Sequence, residues 1–240
     1  MAILITICAR GGSKGISGKN VRMLAGKPLI AHTIRTAKAF QVAAGDVNIA
    51  LSTDDLAIKE AAAAAGLVTD YLRPESLAGD AAGKVDTIAH LLEYEENRLG
   101  ITFDYVLDLD VTSPLRNLED LQNAFSVIEA NPEALNLFSV SPANRSPYFN
   151  MVEQKENGFF AQVKQPEGML LTRQSAPKVY DLNASFYFYR REFFQLGYKG
   201  AITDRSLIYV VPHLCFDLDH PIDFEILSLL IANDKLDFEL

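Results

Sequence analysis

Cysteine is scarce in this 240-residue chain: Cys8 and Cys215 are the only two, and both sit in apolar runs. They form no C-x-x-C pair and no disulfide framework, so each reads as a small buried hydrophobe. No uninterrupted apolar stretch approaches the roughly 20 residues of a membrane span. The opening residues run from Met1 into a Gly-rich basic loop without the basic leader and cleavage site of a signal peptide, so a cytoplasmic location is expected. A surplus of base is also missing. With 22 Lys and Arg against 31 Asp and Glu, the net charge is −9. Nothing global therefore draws the chain to nucleic acid or an anionic membrane. A local cationic site for a small anion stays open. Of the four histidines, His32, His90 and His213 show no metal-ligand spacing, and His220 reads as an exposed turn residue. No internal repeat or low-complexity tract is present. The 49% hydrophobic and 22% charged composition excludes disorder and fits a single globular domain, with or without an insertion.

What is present is an alternation of strand and helix patterns. Strands are expected at Ile3 to Ala9, Val47 to Ser52, Val68 to Leu72, Tyr105 to Leu109 and Leu135 to Val140. Helices are expected at Pro28 to Phe40, Asp55 to Ala65, Val85 to Leu99 and Leu118 to Ala130. Alternation of this kind implies parallel strands joined by right-handed crossovers, an α/β fold of three layers. The rhythm changes after Val140. Residues 141–182 are rich in Pro, Asn, Gln and Gly and read as inserted hairpins, with a short run at Phe159 to Val163. Strands at Ser185 to Tyr189 and Ile208 to Val211 and a helix at Pro221 to Ala232 close the chain. The domain reading is therefore 1–140 with 183–240, interrupted by 141–182. Ligands of open α/β sheets sit beyond the carboxyl ends of strands. Four segments, after Ala9, after Leu72, after Leu109 and at Asp217 to Asp219, are expected to converge on one crevice.

The first of these segments carries the strongest signal: Ala9-Arg10-Gly11-Gly12-Ser13-Lys14-Gly15-Ile16-Ser17-Gly18-Lys19-Asn20. Glycines let the backbone approach closely and turn consecutive N–H groups toward phosphate oxygens. Arg10, Lys14 and Lys19 add positive charge within an acidic chain. The order matches neither G-x-G-x-x-G nor G-x-x-x-x-G-K-[ST], so a polyphosphate suits it better than a dinucleotide. A flexible loop with solvated lysines is the competing reading.

At this loop the sequence resembles the nucleotide-sugar pyrophosphorylases and, more narrowly, the CMP-sialic acid synthetases (acylneuraminate cytidylyltransferases). The resemblance extends over nearly the whole chain. It runs through Lys19-Asn20, Ser52-Thr53-Asp54, Arg73-Pro74-Glu75, Thr112-Ser113-Pro114-Leu115-Arg116, Arg173-Gln174 and Phe216-Asp217-Leu218-Asp219. Ser146 to Glu153 and Thr172 to Ser185 look most like the bacterial branch that activates legionaminic acid, a nonulosonic acid. The resemblance implies a Rossmann-like three-layer α/β domain with a mostly parallel sheet and a small inserted dimerisation segment. It implies transfer of CMP from CTP to the anomeric hydroxyl of a nonulosonic acid, of the legionaminic or N-acetylneuraminic type, with release of pyrophosphate. The product would serve surface glycan or flagellin glycosylation. Pseudaminic acid or octulosonate as acceptor, or a non-catalytic nucleotide-binding protein on this fold, are the alternatives. Mg²⁺ or Mn²⁺ is the implied cofactor. A homodimer with a shared active site is the implied assembly, with dimer against tetramer left open.

The resemblance also assigns residues. Arg10, Gly11, Gly12, Ser13, Lys14, Lys19 and Asn20 would hold the nucleotide, Arg10 and Lys19 at its phosphates. Lys14 reads equally as a solvated charge. Arg73, Ala82 and Lys84 fall near the cytosine. Lys84 departs from the small hydroxyl residues common in the family, and a surface lysine is its other reading. Asp110 departs from a frequent glutamine and is assigned to the ribose or the sugar. Asp108 would point the same way if the strand continued. Thr112, Ser113, Tyr148 and Asn150, with Phe149 between the last two, are placed on the acceptor side. So are Arg173 and Gln174, a guanidinium fork being suited to the sugar carboxylate. Arg116 reads equally as functional or as a structural residue at a helix start, and Asn183 as a nearby support. Asp217 and Asp219 alternate on an extended segment and therefore share a face. They match metal-binding aspartates. Arg10, Lys19, Arg173, Asp217 and Asp219 form the expected catalytic set. Asp223 is expected to stabilise a helix N-terminus.

Overall fold

A computed structural model describes residues 1–12, 15–79, 82–165, 175–238 and 240. Strand β1 (Ile3–Cys8) leads through a loop and a single 3₁₀ turn (Lys19–Val21) to a two-stranded ribbon, β2 (Met23–Leu24) with β3 (Lys27–Pro28). Helix α1 (Leu29–Ala44), β4 (Val47–Ser52), α2 (Leu56–Ala64), α3 (Lys84–Leu99), β5 (Tyr105–Leu109) and α4 (Leu118–Glu129) follow. Then come β6 (Asn136–Pro142), β7 (Val152–Gln154), β8 (Phe160–Gln162) and β9 (Tyr180–Arg190). A short α5 (Arg191–Gln195), β10 (Ser206–Val210) and α6 (Pro221–Ala232) complete the order.

Six strands form the central sheet in the order β10-β6-β9-β5-β1-β4. β1 lies parallel to β4 and β5, and β10 parallel to β6. β9 runs antiparallel to both β5 and β6. This is a Rossmann-like α/β fold with a mostly parallel sheet. Alternation along β1 builds two cores. Ile3, Ile5 and Ile7 pack on one face with Leu29, Ile34, Leu121 and Phe224 of the helices. Leu4 packs on the other with Ile88, Leu91 and Phe193. Because both faces are covered, β1 and β5 are apolar on nearly every residue rather than alternating.

Local chemistry sets the element ends. The Asp55 side chain accepts from Ile58 N at 3.1 Å and caps α2. Asn117 and Asp120 close a capping box at α4, with both bonds at 2.9 Å. One expected strand is absent. Val68 to Leu72 is extended but makes no ladder, although Leu67, Thr69, Tyr71 and Arg73 are buried and the residues between them are exposed. It runs beside the edge strand β4 and is held by Thr69 Oγ1 donating to Leu51 O and by Arg73 N donating to Thr53 O. The alternation reports one buried face, not sheet pairing. The central sheet also reaches into the span expected to be inserted. β6 and β9 still pair at Ser141↔Asp181 and Pro142↔Tyr180. The excursion from the sheet therefore occupies 143–179, where β7 and β8 form a ribbon of their own. No helix among the described residues is long and apolar enough to cross a membrane.

Candidate active site

The four expected segments do converge, and backbone and side-chain bonds between them do the joining. The loop after β1 is tied to the end of β4: Ala9 N donates to Ser52 O at 3.0 Å, and Gly11 N donates to Asp54 Oδ1 at 3.0 Å. A Cβ on Gly11 would lie 2.5 Å from Asp55 Oδ2, so the contact needs glycine here. Gly18 turns the chain with φ +62° into the 3₁₀ turn that buries Lys19 and Asn20. Asn20 Nδ2 donates to Arg10 O at 2.9 Å, while its Oδ1 is buried without a partner among the described residues.

Lys19 crosses to the far side of the crevice. Its Nζ donates to Leu218 O at 2.6 Å and lies 3.7 Å from Asp219 Oδ1. The backbone of Gly15 abuts the same segment, since a Cβ there would meet Asp219 O at 2.2 Å. Leu218 N donates to Thr112 O at 2.7 Å, which fastens 216–219 to the loop after β5. Asp217 and Asp219 line a second recess of about 430 Å³ with Phe216, His220, Asp223 and Ile226. Burial, reinforced by the neighbouring Asp219 charge, pushes the Asp217 carboxyl above its usual range. Two carboxylates lining one recess are suited to a cation. Among the described residues no cluster of three or more His, Cys, Asp or Glu is placed to hold a metal. A two-carboxylate set fits Mg²⁺, which takes few protein ligands beside waters and phosphate oxygens. Asp223 lines the same recess, but its Oδ2 is spent on the backbone, accepting from Asp219 N and His220 N as a helix-start residue does.

On the opposite side, Arg10, Arg73, Ala82, Lys84 and Asp110 line one cavity of about 240 Å³ together with Cys8, Leu77, Gly79 and Thr87. Arg73 is buried and donates from Nε to Ser52 Oγ at 2.9 Å and from Nη2 to Ser52 O at 2.7 Å. The Ser52-Thr53-Asp54 motif thus positions both cationic segments. Cys8 differs from its expected place as a core residue. It ends β1 at the cavity wall and is partly exposed. Burial and the nearby Asp108 push its thiol up, so it stays protonated.

Asp108 and Asp110 face the same way, and Lys84 lies against both, 2.9 Å from Asp108 Oδ2 and 2.7 Å from Asp110 Oδ2. The two departures from the family pattern touch each other. Thr6 Oγ1 donates to Asp108 Oδ1 at 2.9 Å, and Thr112 donates to Asp110 Oδ1 from its N and Oγ1, both at 2.8 Å. Burial opposes ionisation of Asp110, but Lys84 and Thr112 outweigh it and hold its carboxyl down at about 2. Lys84 is likewise held well above the usual lysine range, the two carboxylates outweighing burial.

Several expected contacts fall elsewhere. Ser113 is fully buried and spends its hydroxyl on Phe216 O at 3.3 Å, which leaves it no surface for an acceptor. Arg116 proves structural. It is 1% exposed and donates to Asp110 O, Ser113 O, Ser185 O and Thr33 Oγ1, with burial lowering its pKa to about 10. Asn183 supports the same wall by accepting from Ser139 Oγ at 2.6 Å. Tyr148 and Asn150 belong to a turn of the inserted segment. Asn150 Oδ1 accepts from Ser146 N at 2.7 Å, and Lys164 sits over the Tyr148 ring at 5.4 Å. Neither lines the cavity beside Arg73. Ser13, Lys14, Arg173 and Gln174 lie outside the described residues.

Residues 4–225 match the cytidylyltransferase family. The chain is 36% identical over 234 residues to post-translational flagellin modification protein B of Campylobacter coli, covering 98% of this chain and 97% of that one. It is 36% identical over 237 residues to CMP-N,N'-diacetyllegionaminic acid synthase of Campylobacter jejuni, with the same shares covered. Among solved structures, a CMP:2-keto-3-deoxy-manno-octonic acid synthetase complexed with CTP superposes with a TM-score of 0.69 at 17% identity, over 98% of this chain and 100% of the other. At that identity the last likeness speaks for the fold.

Proposed function

The chain belongs to the cytidylyltransferase family, and from that premise we propose that it transfers CMP from CTP to the anomeric hydroxyl of a nonulosonic acid of the legionaminic type. The observation that carries this reading is the bridge across the crevice. Lys19, from the Gly-rich loop, reaches Leu218 O and Asp219, so a cationic phosphate cradle and a pair of carboxylates face one another. The sugar's own anomeric oxygen is the nucleophile. It attacks the α-phosphorus, the new P–O bond forms as the bond to the bridging oxygen breaks, pyrophosphate leaves, and the hydroxyl proton passes to solvent. Positioning and charge compensation are what the protein supplies. Arg10 and Lys19 neutralise the phosphates, Arg73 and the Ala82 backbone border the nucleoside, and Asn20 holds the loop through Arg10 O. Asp217 and Asp219 would hold Mg²⁺ or Mn²⁺, which when bound supplies positive charge to the triphosphate and acidifies the hydroxyl.

The flagellin-modification and legionaminic names of two full-length relatives support this acceptor class. Tyr148, Asn150, Arg173 and Gln174 belong to the inserted segment, and in this reading they complete the acceptor site of a second copy in a homodimer working in the cytoplasm. Incubation with CTP, Mg²⁺ and a panel of legionaminic, pseudaminic, N-acetylneuraminic and 3-deoxy-octulosonic acids tests it. Pyrophosphate should be released fastest with legionaminic acid. CTP binding without release on any acceptor would leave a nucleotide-binding protein on this fold.

A further inference from the structure

Lys84 opens α3, at the helix end where backbone N–H groups make a cation unfavourable. Burial adds to that cost. What offsets both is the pair of carboxylates at the carboxyl end of β5. Asp108 is fully buried and Asp110 partly so, and Lys84 Nζ lies within ion-pair distance of one oxygen of each, hydrogen-bonding that of Asp110. The Tyr187 ring closes a third side at 5.2 Å. The ammonium charge is thus paired within the protein, although Lys84 stands half-buried at the cavity wall beside Arg10 and Arg73.

We propose that Lys84 is a positioning residue: by holding Asp108 and Asp110 in one ion-paired cluster, it keeps two carboxylates from opposing an anionic ligand in the cleft, and it does so without touching that ligand. The cluster carries one net negative charge with Lys84 and two without it. The second carboxylate oxygen of Asp110 remains on Thr112, so the cluster also fixes the start of the loop that fastens 216–219. The inference rests on the nucleotide reading of the cleft.

The decisive comparison is between Lys84→Met and Lys84→Met combined with Asp108→Asn, which brings the cluster back to one net charge while leaving Asp110 in place. The probe is CTP, with its dissociation constant measured by calorimetry. Lys84→Met is expected to weaken binding about tenfold or more, and less so in high salt. The double variant is expected to recover to within about threefold of the starting protein, and Lys84→Arg to stay within that range. An equal loss in the single and double variants would mean that Lys84 contacts the ligand directly, and no loss in Lys84→Met would mean that its charge is irrelevant. Either result overturns the proposal. Should Lys84→Met alone fail to fold, the double variant decides, since a loss of about tenfold there contradicts charge compensation. If the unaltered protein binds no CTP, the proposed function fails. The same series with inorganic tripolyphosphate then decides the role of Lys84 by the same outcomes.

Discussion

The crevice floor and the inserted segment are built in opposite ways. On the floor, segments far apart in sequence are bolted together by buried polar bonds, with Lys19 on Leu218, Leu218 on Thr112, and Arg116 on three carbonyls. In the insertion, β7 is wholly exposed and Phe159, Phe160, Met151 and Val152 present apolar surface to solvent. A two-stranded ribbon this thinly covered is marginal by itself. The floor is joined by bonds within one chain, whereas the insertion has apolar side chains exposed. The difference is what the proposed sharing of the acceptor site between two copies would require.

Removing the crossing lysine should hurt most. Lys19→Met is expected to lower kcat/KM for pyrophosphate release about 100-fold or more, because a charge aimed at the phosphates is lost. A loss of only a few-fold would show that the floor does not carry the chemistry. Arg116→Met should cost about 3 kcal/mol in urea unfolding, since several buried carbonyls lose their donor. Gly15→Ala forces the loop off Asp219 O, for about 1–3 kcal/mol and a lower kcat.

Next is a pH effect at the start of α4. His213 Nε2 lies 2.8 Å from Asp120 Oδ2, in the box that caps this helix. Burial works against protonation there, but the Asp120 contact outweighs it and raises the pKa above 6.5. A raised folded value means the stabilisation is whole below pH 6.5 and fades as pH climbs through the raised value. Thermal melts across this window should show that decline, and His213→Gln should flatten it. The smallest effect is expected in the insertion. Phe159→Ser with Phe160→Ser should change the unfolding free energy of the protomer by about 0.5 kcal/mol or less while weakening self-association in sedimentation. Strong destabilisation of the protomer would erase the contrast between the two regions.

Much of this was legible from residue order. The period-two and 3.6-residue patterns gave β4, β5 and α6 their observed bounds, and glycines placed the loop after β1. Val68 to Leu72 misled because alternation records which face is covered, and an extended segment beside an edge strand is covered without being paired. Ser113 and Arg116 look alike in sequence as polar residues of a motif. Only burial separates them from Thr112, which reaches the cleft-lining Asp110.

The sequence by itself determined the layers, the cationic loop and the paired Asp217 and Asp219, because these follow from local periodicity and spacing. Tertiary structure alone decided that Lys84 and Asp110 neutralise each other across 26 residues of chain, and that Asp108 shares the same ammonium. It likewise decided that Lys19 spans the crevice and that Ser52 orients Arg73. The physical reason is the same in each case. A charge has a role only relative to the charges and carbonyls folding brings within about 3 Å of it, and one-dimensional spacing does not encode that distance.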